Sequence, residues 1–213
     1  AEKKLSELTI VINGAGAAGI AIAKHLMTLY VGDIIMVDIC GIICEGDTSL
    51  SEAHKEISVL TNKRHKKGGL AEAMSAADVF IGVSKPDLVS AEMIKSMNNK
   101  PIIFAMANPM PEIMPDAALK AGAFIVGTGR SDFPNQINNV LAFPGIFKGA
   151  LAVRASDIND EMKAAASAAI AKCVPADKLS RDFILPNAFD RAVAQAVAQA
   201  VAQAARKTGK ARI

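Results

Sequence analysis

The protein has 213 residues, of which 51% are hydrophobic, and its formal net charge is +3. This length suits one domain or one domain with an appendage, and the apolar content excludes a disordered chain. The small net charge, the aromatic content of 4% and the lack of Trp argue against a nucleic-acid binder.

The first predicted element is a short buried strand over residues 8–12, which are all apolar or β-branched. Gly14, Gly16 and Gly19 follow in the pattern G-x-G-x-x-G, and helical spacing begins at Ile20. This order of strand, glycine turn and helix is the context of a dinucleotide-binding fingerprint. The first glycine permits the tight turn, the second the approach of a pyrophosphate, and the third close helix packing. The alternative is a glycine-rich turn that binds no ligand.

A second apolar run, residues 34–37, ends in the carboxylate of Asp38. Asp38 follows Gly19 by 19 residues (38 − 19), close to the roughly 20 at which an acid binds the adenosine ribose. An acid there repels a 2′-phosphate, so the sequence favours NAD over NADP. The alternative is an ordinary polar residue at the end of a strand.

Strands and helices are predicted to alternate up to residue 126. The later strands are predicted over 78–83, 101–107 and 123–126, and the helices between them over 51–60, 70–76, 90–97 and 116–121. Ser51 and Ser90 are predicted to cap their helices. The alternation predicts a Rossmann-type, doubly wound α/β fold with a mostly parallel sheet and helices on both faces. Ligands bind at the carboxyl ends of such strands, where Ser84 lies.

Several intervening stretches are predicted to be irregular. Residues 39–47 are expected to form a loop, and the basic run 63–69 a solvated loop, with attraction of coenzyme phosphates as the alternative. The polar stretch 130–143 lies between two apolar elements, where binding groups collect. Within it, a structural ion pair is the favoured interpretation of Arg130 and a carboxylate-binding role the alternative. Asp132 and Asp157 are expected to be isolated caps or surface acids.

The carboxyl-terminal region is predicted to be helical over 146–155, 156–172 and 186–206. The last helix repeats Ala-Val-Ala-Gln three times, which places Val193, Val197 and Val201 in a slanted stripe that can pack against another helix. We therefore expect a coenzyme-binding domain over 1–155. A helical extension over 156–213 is expected to pack on that domain or on a missing amino-terminal half.

The sequence also bears on compartment. Its three cysteines, Cys40, Cys44 and Cys173, form no disulfide framework, which favours a reducing cytoplasm. Cys40 and Cys44 with His54 match no zinc spacing. No segment is long and apolar enough to span a bilayer, and no signal peptide opens the chain. The chain begins at Ala1, which suggests a processed chain or a fragment.

Four stretches resemble the small bacterial malic enzymes. They are Ile-Asn-Gly-Ala-Gly-Ala-Ala-Gly-Ile-Ala (12–21), Asp-Val-Phe-Ile-Gly-Val-Ser (78–84), Ile-Ile-Phe-Ala-Met-Ala-Asn-Pro-Met-Pro-Glu (102–112) and Gly-Arg-Ser-Asp-Phe-Pro-Asn-Gln-Ile-Asn-Asn-Val-Leu-Ala-Phe-Pro-Gly (129–145). The last two are specific to that family. The similarity covers nearly the whole chain, and Thr-Gly-Lys-Ala-Arg (208–212) is also typical of it.

The resemblance implies roles for individual residues. The pyrophosphate would be bound by the glycine turn, which is Gly14, Ala15, Gly16, Ala17, Ala18 and Gly19. Asp38 would bind the adenosine ribose, and Ser84 would lie beside the nicotinamide half. Asn108 and Asn139 look like the amides that orient malate and the nicotinamide ribose, since an amide positions a substrate without titrating. The alternative is that Asn108 and Asn138 only bind turn backbones.

The resemblance also implies a reaction. Malate gives a hydride to NAD while a lysine takes the hydroxyl proton, Mg²⁺ or Mn²⁺ assists decarboxylation, and a tyrosine protonates the enol to give pyruvate. In the family these groups and the metal-binding carboxylates belong to a segment that would precede Ala1, so we expect no catalytic or metal-binding residue on this chain. Tyr30, the single tyrosine, lies outside that motif. The expected partners are the amino-terminal half and a second copy in a homo-oligomer.

Two alternatives remain open from the sequence. The chain could be a Rossmann dehydrogenase for another small acid. Whichever substrate it takes, NADP is a possible coenzyme in place of NAD. It could also be a domain that binds NAD without catalysing a reaction, because no acid–base group is recognised in it.

Overall fold

The computed structural model describes residues 1–213, which divide into two compact units, Ala1–Pro134 and Asn135–Ile213. The division expected after residue 155 lies inside the second unit. The difference arises because the helix at Phe143–Ala152 packs against the last helix of the chain. A Cβ built on Gly145 would lie 2.5 Å from the Cβ of Val197, so the two helices touch closely there.

The first unit is built on one six-stranded sheet. Its strands are β1 (Thr9–Asn13), β2 (Asp33–Asp38), β3 (Gly41–Ile42), β4 (Val79–Gly82), β5 (Ile102–Ala105) and β6 (Ile125–Thr128). They lie in the order β3-β2-β1-β4-β5-β6, and only the β2–β3 pair is antiparallel. The chain crosses from β3 to β4 past β1, which makes the carboxyl end of β1 the topological switch point of the sheet.

Helices cover both faces of this sheet, as the alternating pattern predicts. They are α1 (Ala17–Thr28), α2 (Glu52–Ser58), α3 (Leu70–Met74), α4 (Ala91–Lys95) and α5 (Pro115–Lys120). Side chains alternate along β1, so Val11 is buried with residues of α3, α4 and α5, and Ile12 is buried with residues of α1 and α2. The Rossmann-type, mostly parallel fold is therefore confirmed.

Most features of the first unit that were predicted from local sequence are found in the structure. The hydroxyls of Ser51 and Ser90 cap α2 and α4, each accepting a backbone N–H at 3.3 Å, as predicted. The prediction that residues 39–47 form a loop is wrong in one respect, because this stretch contains β3. This strand has two residues and pairs through its backbone with Val37 and Asp38, so side-chain periodicity carries no sign of it.

The second unit is helical. It contains a 3-10 turn at Asn139–Leu141 and the helices α6 (Phe143–Ala152), α7 (Asp160–Lys172) and α8 (Arg191–Lys207). The valine stripe of α8 is buried in its core, with each valine at most 1% exposed, which confirms the packing role of the repeat. None of the helices combines the length and apolar character that a membrane span requires.

Three predicted helix starts in the second unit are wrong. The helix expected from residue 146 begins at Phe143, with Pro144 in its first turn. The helix expected from residue 156 begins at Asp160, because Asn159 is the residue whose side chain caps it, accepting the N–H of Met162 at 3.0 Å. The helix expected from residue 186 begins at Arg191 after Asp190, whose carboxylate accepts the N–H of Ala192 at 2.9 Å.

Candidate functional site

The three glycines of the turn over residues 14–19 have different surroundings. Gly14 has a φ of 109°, and a Cβ there would lie 2.7 Å from the carbonyl oxygen of Val83. A Cβ on Gly19 would overlap the carbonyl oxygen of Gly14. Around Gly16, however, nothing lies within 4 Å of where a Cβ would be. Gly14 and Gly19 are thus required by the protein itself, whereas Gly16 borders open space.

Helix α1 begins beside that space. Gly16 is its N-cap with an extended backbone, no side chain caps this end, and its first turn contains no acid. Ala17 and Ala18 are exposed there. The first N–H groups of a helix have no partner within it and carry a partial positive charge, so the start of α1 is suited to an anion such as a phosphate.

Asp38 ends β2, and its side chain is 38% exposed. His54 of α2 lies beside it, with Nε2 3.7 Å from Oδ2 of Asp38 and 2.9 Å from the carbonyl oxygen of Ala15. One imidazole therefore connects the glycine turn to the carboxylate at the next strand. Sequence reasoning missed this role of His54, because no local pattern links it to either residue.

A crevice of about 540 Å³ opens at the carboxyl ends of β1 and β2. It is lined by Asn13, Val37, Asp38, Ile39, Gly41, Gly69, Leu70, Ser84, Lys85 and Leu88. Ile39 is 88% exposed beside the carboxylate of Asp38, so an apolar wall and an acid lie side by side. Such a lining suits a flat apolar ring attached to a hydroxyl-bearing sugar.

Two predicted coenzyme residues, Asp38 and Ser84, share this crevice. The location of Ser84 beside the nicotinamide half stays a prediction. Asn108 is exposed in the loop after β5, joined to Pro109 by a cis peptide bond, and it is not among the residues that line the crevice.

Glu112 is completely buried and contacts the segments that follow β4 and β5. Its carboxylate accepts the backbone N–H of Ser84 and that of Ala107, each at 3.0 Å. Glu112 therefore joins the chain after β4 to the chain after β5, next to two predicted site residues. It belongs to the Pro-Met-Pro-Glu stretch, but a glutamate after prolines gives no sequence signal of burial.

The amides of the polar stretch differ from one another. Asn138 accepts the N–H of Val140 at 3.0 Å through its side-chain oxygen, so its interpretation as a turn residue is confirmed. Asn139 is exposed at the first position of the 3-10 turn in the second unit. The ligand roles of Asn108 and Asn139 stay predictions.

Arg130 forms the structural ion pair that the sequence favoured. Its Nε and Nη2 donate to the carboxylate of Asp132 at 2.9 and 2.7 Å. Its guanidinium also lies over the ring of Phe133, 5.6 Å from the centroid. Asp132 is thus a surface acid, as expected, but it is paired with Arg130 and not isolated. This hydrogen bond lowers the pKa of Asp132 and raises that of Arg130.

The side chains of this chain form no metal-binding cluster by themselves. No three His, Cys, Asp or Glu side chains come together as ligands. The Sγ of Cys44 donates to the carbonyl oxygen of Lys66, and His54 lies at the glycine turn. No chemical step on these residues is therefore assigned to a metal.

Comparison with known proteins bears on the family of this chain. The family model described as malic enzyme, NAD binding domain, matches residues 1–206. The bifunctional malic/malolactic enzyme of Bacillus subtilis (strain 168) is 57% identical over 212 residues, covering 99% of this chain and 52% of its own length. The NADP-dependent malic enzyme of Rhizobium meliloti (strain 1021) is 45% identical over 220 residues, covering 95% of this chain and 28% of its own length.

This chain is also similar to a solved structure. The crystal structure of NAD-dependent malic enzyme from Thermotoga maritima superimposes with a TM-score of 0.89 at 49% identity, covering 94% of this chain and 53% of that one. This chain spans about half the length of the Bacillus subtilis and Thermotoga maritima proteins. With the glycine turn, the acid at β2 and a family match over residues 1–206, the chain belongs to the malic enzyme family, within its NAD-binding domain.

Proposed function

We propose that this chain is the coenzyme-binding half of an NAD-dependent malic enzyme, which oxidises and decarboxylates malate to pyruvate and CO₂. The observation that carries the proposal is the combination of open space at Gly16, beside the uncapped start of α1, with the crevice that Asp38 lines. A dinucleotide requires a place for its diphosphate and an acceptor for its ribose hydroxyls, and both occur here at the switch point of the sheet.

In this proposal the chain's own residues bind and orient the coenzyme. The N–H groups of the glycine turn and of the first turn of α1 donate to the diphosphate. Asp38 accepts the hydroxyls of the adenosine ribose, and His54 holds the carbonyl of Ala15 beside it. When bound, NAD supplies the hydride acceptor. Because Asp38 would repel a 2′-phosphate, the site favours NAD, although relatives of this chain include an NADP-dependent enzyme.

The substrate side of the proposal rests on the resemblance. Asn108 and Asn139 are proposed to orient malate, and Asn108 also the nicotinamide ribose. The proton-transferring lysine and tyrosine, and the carboxylates for Mg²⁺ or Mn²⁺, are proposed to come from an amino-terminal half, which matches the half-length coverage of the Bacillus subtilis enzyme. A homo-oligomer is part of the same proposal.

The experiment that tests this division compares two preparations. Residues 1–213 alone are expected to bind NAD by calorimetry but to release no CO₂ from malate. Mixed with the amino-terminal half of a close relative, or fused to it, they are expected to produce NADH and pyruvate. Turnover of malate by residues 1–213 alone, or failure of the wild-type chain to bind NAD, would overturn the proposal.

The substrate amides are tested in the fused protein. The substitution Asn139→Ala is expected to raise the KM for malate or lower kcat, while the affinity for NAD stays within about 3-fold. Unchanged turnover with intact NAD binding would show that Asn139 is not a substrate residue.

A further inference from the structure

Asn13 is a polar residue buried at the end of the central strand. It is 5% exposed, and its side-chain nitrogen Nδ2 has no hydrogen-bond partner in the chain. The four preceding residues of β1 are one Thr and three apolar residues. Buried amide donors are nearly always paired, so an orphaned one indicates a missing partner.

The sheet register places Asn13 at the coenzyme crevice. It lies opposite Val37 of β2 and Gly82 of β4, at the carboxyl ends of all three strands. Asn13 also lines the crevice together with Asp38. Asn13 therefore brings an unpaired donor to the wall of this crevice.

The energetics favour a ligand over a structural role. A buried donor without a partner costs stability, because the group loses its hydrogen bonds to water and gains none in the protein. An apolar residue of similar size would avoid that cost in a strand with Ile and Val at the preceding positions. Asn13 thus carries a cost that a ligand acceptor would offset.

We propose that Nδ2 of Asn13 donates a hydrogen bond to the adenosine half of the bound dinucleotide. The inference rests on the proposed function and adds a binding residue to it. The adenosine half is favoured because Asn13 lies opposite Val37 of β2, one residue before Asp38, which accepts ribose hydroxyls in the proposal. The apolar side chains of Ile39, Leu70 and Leu88 in the crevice wall offer no acceptor to Asn13. Adenosine can provide one, because its ring nitrogens and ribose oxygens accept hydrogen bonds.

The test combines affinity with stability in two variants of residues 1–213. Asn13→Val suits a strand, and Asn13→Ala provides a second variant if valine is not accommodated. Calorimetry with NAD, ADP-ribose and nicotinamide mononucleotide gives the affinities, and thermal unfolding without ligand gives Tm. We expect both variants to bind NAD and ADP-ribose about 3- to 10-fold more weakly than wild type, as for one lost neutral hydrogen bond. At least one variant should keep or raise the Tm of the ligand-free chain.

A matched control uses an asparagine whose amide is already paired. Nδ2 of Asn98 donates to Asp78 at 3.1 Å, at the amino-terminal end of β4. Asn98→Ala is expected to lower Tm and to leave the affinity for ADP-ribose within about 2-fold. The control is therefore expected to change Tm and to spare the affinity for ADP-ribose, which is the opposite of the result expected for Asn13.

Three results would contradict the inference in different ways. Unchanged affinity in both Asn13 variants would show that no ligand uses this donor. Weaker binding of NAD with unchanged binding of ADP-ribose would place the donor at the other half of the coenzyme. A fall in Tm in both variants as large as that of Asn98→Ala would make Asn13 structural. Failure of the wild-type chain to bind NAD is a separate outcome, since it overturns the proposed function itself.

Discussion

The carboxylate of Glu112 accepts the backbone N–H of Ser84 at 3.0 Å through Oε1. Its Oε2 accepts the N–H of Ala107 at 3.0 Å, one residue before Asn108. A Cβ on Gly82 would overlap this carboxylate, so the glycine leaves the space that it occupies. One buried side chain thus fastens the two loops in which predicted coenzyme and substrate residues lie.

The substitution Glu112→Gln is expected to destabilise the chain by about 1–3 kcal/mol, because one acceptor becomes an NH₂ group that faces a backbone donor. The unfolding free energy from urea titration measures the effect. NAD affinity should also fall, since the loop carrying Ser84 loses its anchor. Glu72→Gln is the matched control, because Glu72 is exposed and accepts the N–H of Gly69 at 2.8 Å. A loss in Glu112→Gln no larger than in this control would contradict the anchoring role.

Asp38 is expected to set the preference for NAD. In Asp38→Asn the charge is removed while the side-chain size is kept, so repulsion of a 2′-phosphate disappears and an acceptor for the ribose weakens. The ratio of NADP to NAD affinity should rise about 10-fold or more, a change of about 1.4 kcal/mol. Calorimetry with both coenzymes measures it. The same ratio in the variant and the wild type would show that Asp38 does not face the ribose.

Asp78 directly precedes β4, at the end of the strand away from the candidate site. It is expected to make the stability of the chain depend on pH. Burial acts to raise the pKa of its carboxyl, but hydrogen bonds from Lys3, from the N–H of Thr9 and from Asn98 outweigh burial and lower the pKa below its ordinary value. The Nζ of Lys3 lies 2.6 Å from Oδ1 of Asp78. Because the folded pKa is depressed, the stabilisation is complete above the unfolded value of about 4 and is lost as pH falls through the folded value.

Asp78→Asn therefore gives a pH-dependent difference from wild type. At pH 7 the variant should lose about 1–3 kcal/mol of unfolding free energy. The difference should shrink as pH falls below about 4, where the wild-type carboxyl also becomes neutral. Urea unfolding at a series of pH values measures this difference, and NAD affinity at pH 7 should be unchanged. A difference that stays constant from pH 7 to the acid range would show that Asp78 is not stabilised as an anion.

The sequence predicts those parts of the fold whose signals are local. The apolar strand at Thr9–Asn13, the glycine spacing and the serine caps each act within a few residues, and each is found in the structure. Asn159 caps α7 although Ser156 and Asp157 offer equivalent side chains, so the start of a helix depends on which cap the surrounding packing accepts.

The site is less predictable because its missed residues act over long sequence distances. His54 binds the carbonyl of Ala15, and Glu112 binds the N–H of Ser84. Neither contact has a periodicity, since it exists only after the strands have assembled. Asn13 did have a signal, as a polar residue that ends an apolar central strand directly before the first glycine. Its importance becomes visible only when its nitrogen is found without a partner.

The most direct test of the account is the NAD affinity of Gly16→Ala, measured by calorimetry beside its Tm. Gly16 has a negative φ of −74°, and a Cβ there meets no protein atom within 4 Å, so the ligand-free fold should be unaffected. Gly129→Ala is the control, since a Cβ on Gly129 also meets nothing within 4 Å. The account predicts an unchanged Tm and NAD binding weakened about 10-fold or more in Gly16→Ala alone, because the methyl group displaces the diphosphate from its N–H donors. Wild-type affinity in Gly16→Ala would contradict the claim that the diphosphate binds at this turn.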